Sequence, residues 1–274
     1  MRKTELLLLA TTVLLASCSF YRYQVTADVS TRDRVDYLQD LDGHPVGEAP
    51  DFSSFSDVNE KKSAFFGFLL PGVAYENQRI LQERSVLDGA KKSFQQSKLS
   101  DKQTKQLNRL ARKYDLPIEK NEFSLDWFDE MLVRVNVIPY PLVLTQAANE
   151  SAWGTSRFAR QGNNYFGQWC YQQGCGLVPL SRVEGMTHEV AKFKSAQQSI
   201  HNYFMNVNRN AAYQELRQLR EALVEQGKDL LGTESALHLT DGLLKYSERG
   251  LDYVNDLKAM IRHNQSHWET HNNE

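Results

Sequence analysis

The stretch Pro141-Leu-Val-Leu-Thr-Gln-Ala-Ala-Asn-Glu-Ser-Ala-Trp-Gly154, followed by Gln161-Gly-Asn-Asn-Tyr-Phe-Gly-Gln-Trp169, decides how the rest of the chain is read. A proline suits the first turn of a helix, where its missing N–H costs nothing, and a glycine suits the left-handed residue past the end. One helix closing near Gly154 is therefore expected. Val143, Ala147 and Glu150 recur at steps of four and three and share a face, which puts an acid on the line the helix would bury. Glu150 sits in the last turn, where unpaired carbonyls and the helix dipole disfavour negative charge, and Trp153 stands close enough to displace water. Both effects raise the pKa of the carboxyl. A carboxylic acid that keeps its proton near neutrality is what a glycosidase hands to a leaving sugar oxygen. A glutamate at a helix end, taken alone, more often points to solvent.

The neighbouring residues change that balance. Ala148-Asn149-Glu150-Ser151-Ala152-Trp153-Gly154 resembles the A-x-E-S-x-W-G signature of the bacterial glucosaminidases of glycoside hydrolase family 73, and Asn163-Asn164-Tyr165-Phe166-Gly167 resembles the N-N-x-F-G that follows it. The pattern is most similar to the Bax-like branch of exported glucosaminidase-domain proteins, from about Asn59 onward. The resemblance implies a lysozyme-like α+β hydrolase, mainly helical, with a small β lobe facing the Glu150 helix across a groove. It implies Glu150 as general acid, Asn164 and Phe166 shaping the cleft floor, and Trp153 desolvating the acid or stacking on a sugar ring. The substrate it implies is peptidoglycan, cut at the β-1,4 bond following N-acetylglucosamine.

The chain has 274 residues, 41% hydrophobic and 24% charged, enough to bury a full core. A net charge of −2 gives no electrostatic argument for nucleic acid. Met1-Arg-Lys3 and the apolar run Leu6 to Ala16 have the layout of a secretory signal, too short to span a bilayer. Leu15-Ala16-Ser17-Cys18 resembles a bacterial lipobox, and Ser19 resembles an outer-membrane sorting residue. An exported lipoprotein is expected, held by acyl chains on Cys18 to the periplasmic face of the outer membrane of a Gram-negative cell. The competing reading is an ordinary cleaved signal with an incidental cysteine.

The expected divisions are a signal over 1–18, a tether over 19–57, a helical arm over 58–100, the catalytic domain over 101–266 and a polar tail over 267–274. The tether mixes polar residues with Gly43, Pro45, Gly47 and Pro50, and Phe52 and Phe55 at its end leave docking onto the domain open. In the arm, Pro71 is expected to restart the helix. Phe65 to Leu70 fit core packing or, alternatively, a membrane-contacting patch. Ser124 is a plausible N-cap for a helix carrying Trp127, Phe128 and Met131, and a serine opens another carrying Ile200, Phe204 and Val207. Leu216, Leu219 and Leu223 mark a buried helix face between Ala211 and Glu225.

Between Gly167 and Ala196 helical periodicity lapses, and Gly174, Gly176, Pro179 and Gly185 punctuate short runs that suit a β lobe. In an exported chain Cys170 and Cys175 are expected to close a disulfide there. Glycosidic cleavage usually needs a second group across the sugar; Glu184 and Glu189 are the carboxylates available, with Glu184 slightly favoured. The substrate's own 2-acetamido oxygen is the alternative. Gly242 to Tyr253 resembles the family's Y-A-T-D-x-x-Y region, with Ser247-Glu248-Arg249 departing from it. Tyr246 is expected to line the cleft, while Tyr253 fits cleft or core equally. His188-Glu189 and the tail histidines His267 and His271 lack a third ligand, so neither a metal nor any other cofactor is expected. Oligomeric state stays open, as do a muramidase or lytic transglycosylase activity, a chitin or glycoprotein substrate, and a wall-binding lipoprotein without turnover.

Overall fold

The computed structural model describes residues 45–118, 122–180, 182 and 188–269. The expected signal, with Cys18, and most of the expected tether lie outside these residues, as do Glu184 and His271.

Helix α1, Val58–Gln95, runs the length of the arm and opens at Asp57, whose side chain accepts from the N–H groups of Asn59 and Glu60, both at 2.8 Å. Pro71 lies inside it and does not interrupt it. The expected restart gives way because both flanks are held by burial: Phe65, Phe66 and Leu69 before the proline and Val73, Tyr75 and Ile80 after it. Tertiary packing here outweighs one lost backbone hydrogen bond. The same burial makes Phe65 and Phe66 core residues rather than a membrane patch. No helix of the described residues is long and apolar enough to cross a membrane.

Helices α2 (Asp101–Lys113) and α3 (Leu125–Arg134) follow, the first closed by a capping box between Ser100 and Gln103, the second by Ser124 accepting from Trp127 N at 3.1 Å. The strand-like stretch after α3 is clamped to the arm: Asn77 donates to Ile138 O at 2.9 Å and accepts from Ile138 N at 3.0 Å, as a peptide unit would. Buried Arg220 takes up the carbonyls of Val133, Asn136 and Val137 from the other side. Helix α4, Tyr140–Ser151, is delivered into the centre by this clamp. Its residues from Pro141 to Ala148 are all buried, so it is covered on every side.

Around α4 stand α5 (Arg157–Gly162), α6 (Ala196–Arg209), α7 (Gln214–Glu225), α8 (Thr233–Leu239), α9 (Leu251–His263) and α10 (Ser266–Glu269). Ser195 caps α6, accepting from Gln198 N at 3.2 Å. The β lobe is a three-stranded antiparallel sheet of β1 (Trp169–Cys170), β2 (Gly176–Leu177) and β3 (Glu189–Ala191) in the order β1-β3-β2, with Trp169 opposite Val190 and Gly176 opposite Ala191. Cys170 and Cys175 are disulfide-bonded across it and pack on Ala191 and Phe193. The result is a mostly helical α+β fold of the lysozyme-like kind.

Both expected flexible ends are packed where they are described. Val46 N donates to Gln197 Oε1 at 3.2 Å, and Phe52, 2% exposed, sits edge-on to Phe65 and Phe68. The folded unit therefore begins by residue 45, inside the expected tether. Trp268 is buried against Phe66 and donates to Thr233 Oγ1 at 3.2 Å, so the start of the expected polar tail belongs to the core as well. Large aromatic area outweighs the polar residues around it in both places.

Two glutamates are buried where α1, α2 and α6 meet. Arg79 bridges Glu76 and Glu83, each at 2.7 Å; Lys113 reaches Glu83 at 2.6 Å, and His201 Nδ1 lies 3.0 Å from Glu76. Burial alone would raise both carboxyls, but Arg79 reverses this, with His201 at Glu76 and Lys113 at Glu83; Glu83 is held down to about 2 and Glu76 lower still.

Candidate active site

Helix α4 ends at Ser151, one turn short of Gly154. Ala152, Trp153 and Gly154 all take positive φ, at 50°, 57° and 76°. Two non-glycine residues in this region are strained, and strain of this kind persists where packing over-determines it. Phe52 is the packing: a Cβ on Gly154 would stand 2.3 Å from its ring. The turn swings Trp153 away to the arm, where its ring meets Phe65 at 5.7 Å and Phe66 at 5.2 Å with the Lys62 ammonium 5.4 Å over it. Trp153 thus anchors the turn after Glu150 through the arm.

Glu150 is half-buried at the end of α4. Its Oε1 accepts from Tyr253 of α9 at 2.9 Å and from Asn149 Nδ2 at 3.2 Å. Its Oε2 faces Gly167, where an added Cβ would lie 3.5 Å away. Burial raises the pKa of the carboxyl, and the hydrogen bonds from Tyr253 and Asn149 offset this only in part. The groups that bear on it are neutral, unlike those around Glu76.

Of the other expected residues, Tyr253 touches this carboxyl, Tyr246 stacks on Tyr253, and Asn164 and Phe166 build the turn that leads into Gly167. Asn164, 1% exposed, donates to Gln168 O at 2.8 Å and Ala191 O at 2.9 Å, and accepts from Phe166 N and Gln168 N. It therefore shapes the Phe166-Gly167 turn and ties it to β3 while remaining buried. Phe166 stacks on Tyr203 with centroids 4.2 Å apart. Tyr246 donates to Phe166 O at 3.2 Å and lies parallel to Tyr253, 5.2 Å away. Asn164, Phe166, Tyr246 and Tyr253 are all buried, at 8% exposure or less.

Glu189 faces elsewhere. Its two oxygens accept from Gly174 N at 2.9 Å and Gly176 N at 2.8 Å, which hold its pKa below the usual range and brace the β1–β2 turn. With the Cys170 and Cys175 sulfurs it forms a cluster of possible ligand atoms within 4.8 Å. The sulfurs are bonded to each other and both oxygens are engaged, so the cluster's chemistry is spent internally.

Sequence reasoning missed Gln146, which stands one helical turn before Glu150, and Gly167; the four-residue spacing from Glu150 was the available signal for the first. It also missed Trp169, whose half-exposed ring stacks on buried His188 with centroids 4.0 Å apart, two residues beyond Gly167.

A lysozyme-like scaffold carrying a half-buried carboxyl, its pKa raised by burial, together with a small β lobe is an arrangement that suits a glycan-cleaving enzyme. Comparison with known proteins agrees: the glucosaminidase family, described as mannosyl-glycoprotein endo-beta-N-acetylglucosaminidase, matches residues 126–266. The chain belongs to that family. It is 32% identical over 216 residues to Protein bax of Escherichia coli strain K12, covering 79% of this chain and 74% of the relative. No solved structure gives a significant match.

Proposed function

We propose that this protein is a peptidoglycan hydrolase, an endo-β-N-acetylglucosaminidase that cuts the β-1,4 bond following N-acetylglucosamine, with Glu150 as general acid. The observation that carries this reading is a half-buried carboxyl whose hydrogen-bond partners, Tyr253 and Asn149, are neutral and whose pKa is raised by burial. Such a group holds its proton to higher pH than an exposed glutamate does, which suits donation to the glycosidic oxygen. A glycan binder gains nothing from an acid kept in this state. Gly167 lies beside Oε2, where an added Cβ would be in van der Waals contact with the carboxyl, and in this reading the sugar oxygen approaches from that side.

For the second group, Glu184 stays the candidate carboxylate, since both Glu189 oxygens are committed to the lobe backbone. The 2-acetamido oxygen of the substrate is the alternative. Tyr253 orients the acid, and Tyr246, Phe166 and Asn164 act by supporting it and the Gly167 turn from beneath the saccharide. Trp153 acts at a distance by fixing the helix end. The Met1 to Cys18 segment supports export and lipidation at Cys18, placing the domain on the periplasmic face of the outer membrane.

Mass spectrometry of muropeptides from digested sacculi tests the reaction: products ending in reducing N-acetylglucosamine support it, whereas reducing muramic acid or anhydro-muramic ends assign the cut to a muramidase or transglycosylase. Glu150→Gln is expected to lower release roughly 10²- to 10⁴-fold. Equal release by the variant removes the acid role.

A further inference from the structure

Beneath Glu150 lies a chain of buried polar groups that no substrate reaches. Tyr203 of α6 donates to Gln146 Oε1 in a short contact; Gln146 Nε2 donates to the Tyr253 hydroxyl at 3.1 Å; and that hydroxyl donates to Glu150 Oε1 at 2.9 Å. Gln146 is 0% and Tyr203 1% exposed. The orientation of the Gln146 amide gives the chain its direction. An amide oxygen can only accept and an amide nitrogen can only donate, so with Oε1 turned to Tyr203 and Nε2 to Tyr253, Tyr203 donates and Tyr253 accepts. Once that hydroxyl accepts from Gln146, its single hydrogen is left for Glu150.

We propose that Gln146 and Tyr203 are positioning residues that impose one direction on this hydrogen-bond chain, so that Oε1 of Glu150 always accepts and the transferable proton resides on Oε2, beside Gly167. Oε1 receives a second donor from Asn149, which reinforces the asymmetry. The carboxyl then presents its O–H on the side that faces Gly167. The inference rests on the reading of Glu150 as the acid, but the arrangement of donors is a property of the resting protein. Among the described residues, the titratable groups that bear on the carboxyl are Tyr253 of α9 and Tyr203 of α6, with Tyr213 beyond; burial keeps the Tyr253 and Tyr203 phenols neutral.

The test titrates Glu150 by carboxyl ¹³C NMR in the full protein, with Glu150→Gln to assign the signal, and compares the wild type with Tyr253→Phe and Tyr203→Phe. Both variants keep their rings, and Tyr203→Phe keeps the stack on Phe166. If the phenol donates to the carboxylate, it stabilises the charged form, so its loss moves the midpoint to higher pH. Tyr203→Phe frees the Gln146 amide to turn and is expected to move the midpoint in the same direction, less far, with glycan release down roughly threefold to tenfold at unchanged KM. A shift to lower pH means that the chain runs the opposite way and overturns the proposal. An unmoved midpoint with reduced release shows a structural role only and overturns it too. Because the titration needs no substrate, these failures stand apart from failure of the hydrolase reading, which unimpaired release by Glu150→Gln would reveal.

Discussion

Among the described residues, the carboxyls at the arm junction and the one at the end of α4 lie in surroundings that pull them in opposite directions. At the junction of α1, α2 and α6, Glu76 and Glu83 lose their hydration but gain Arg79, Lys113 and His201 within 3.0 Å, and both stay ionised. At the end of α4, Glu150 loses much of its hydration and, among the described residues, gains only a phenol and a carboxamide. A compensated pair of carboxylates holds its charge at the arm junction; an uncompensated one has its pKa raised by burial. The difference lies in which partners surround the acid rather than in burial itself.

The comparison breaks most sharply if the cation is taken from the first cluster. Arg79→Met leaves Glu76 and Glu83 buried with their shared partner gone and is expected to lower stability by about 3–5 kcal/mol, measured by urea unfolding. The pH dependence has a definite sign. Both carboxyls have folded pKa values below the ordinary 4.5, so their contribution is present above that value and is lost as pH falls toward about 2 for Glu83. A variant as stable as the wild type at neutral pH would show that the cluster is not what secures the arm.

A smaller effect of opposite sign is expected at the second site. The folded pKa of Glu150 is raised, so its carboxyl costs nothing while protonated at low pH and becomes a liability as pH rises through the folded value. Glu150→Gln should therefore raise Tm by roughly 1–3 °C at pH 8 and leave it unchanged at pH 4. A lower Tm at pH 8 would mean that the ionised carboxylate is stabilised by its surroundings.

What the sequence disclosed was local. The α4 helix, the Ser124 and Ser195 caps and the Cys170–Cys175 disulfide each follow from residues a few positions apart. The grouping of Glu150 with Asn164, Phe166 and Tyr246 was suggested only because their motifs resemble those of a family; the structure joins Tyr246 to Phe166 O and stacks it on Tyr253. Gln146 to Tyr253 and Glu150 to Tyr253 are contacts across 107 and 103 residues, which no periodicity encodes. The spacing of Glu76, Arg79 and Glu83 is that of an exposed helix pair, and only the arrival of α2 and α6 buries it. Trp268 was obscured for a related reason: it is a lone aromatic in a polar segment, and it packs on Phe66 of the distant arm, whereas docking of Phe52 was left open by the sequence and is resolved by its contacts with Phe65 and Phe68.

The most direct test is the pH profile of kcat/KM for release of soluble fragments from sacculi, run on the wild type and Glu150→Gln. The account predicts that wild-type release falls on the alkaline side at the same pH at which the Glu150 carboxyl titrates, above the ordinary glutamate range, and that the residual release of the variant lacks this limb. An alkaline limb retained unchanged in Glu150→Gln would contradict it.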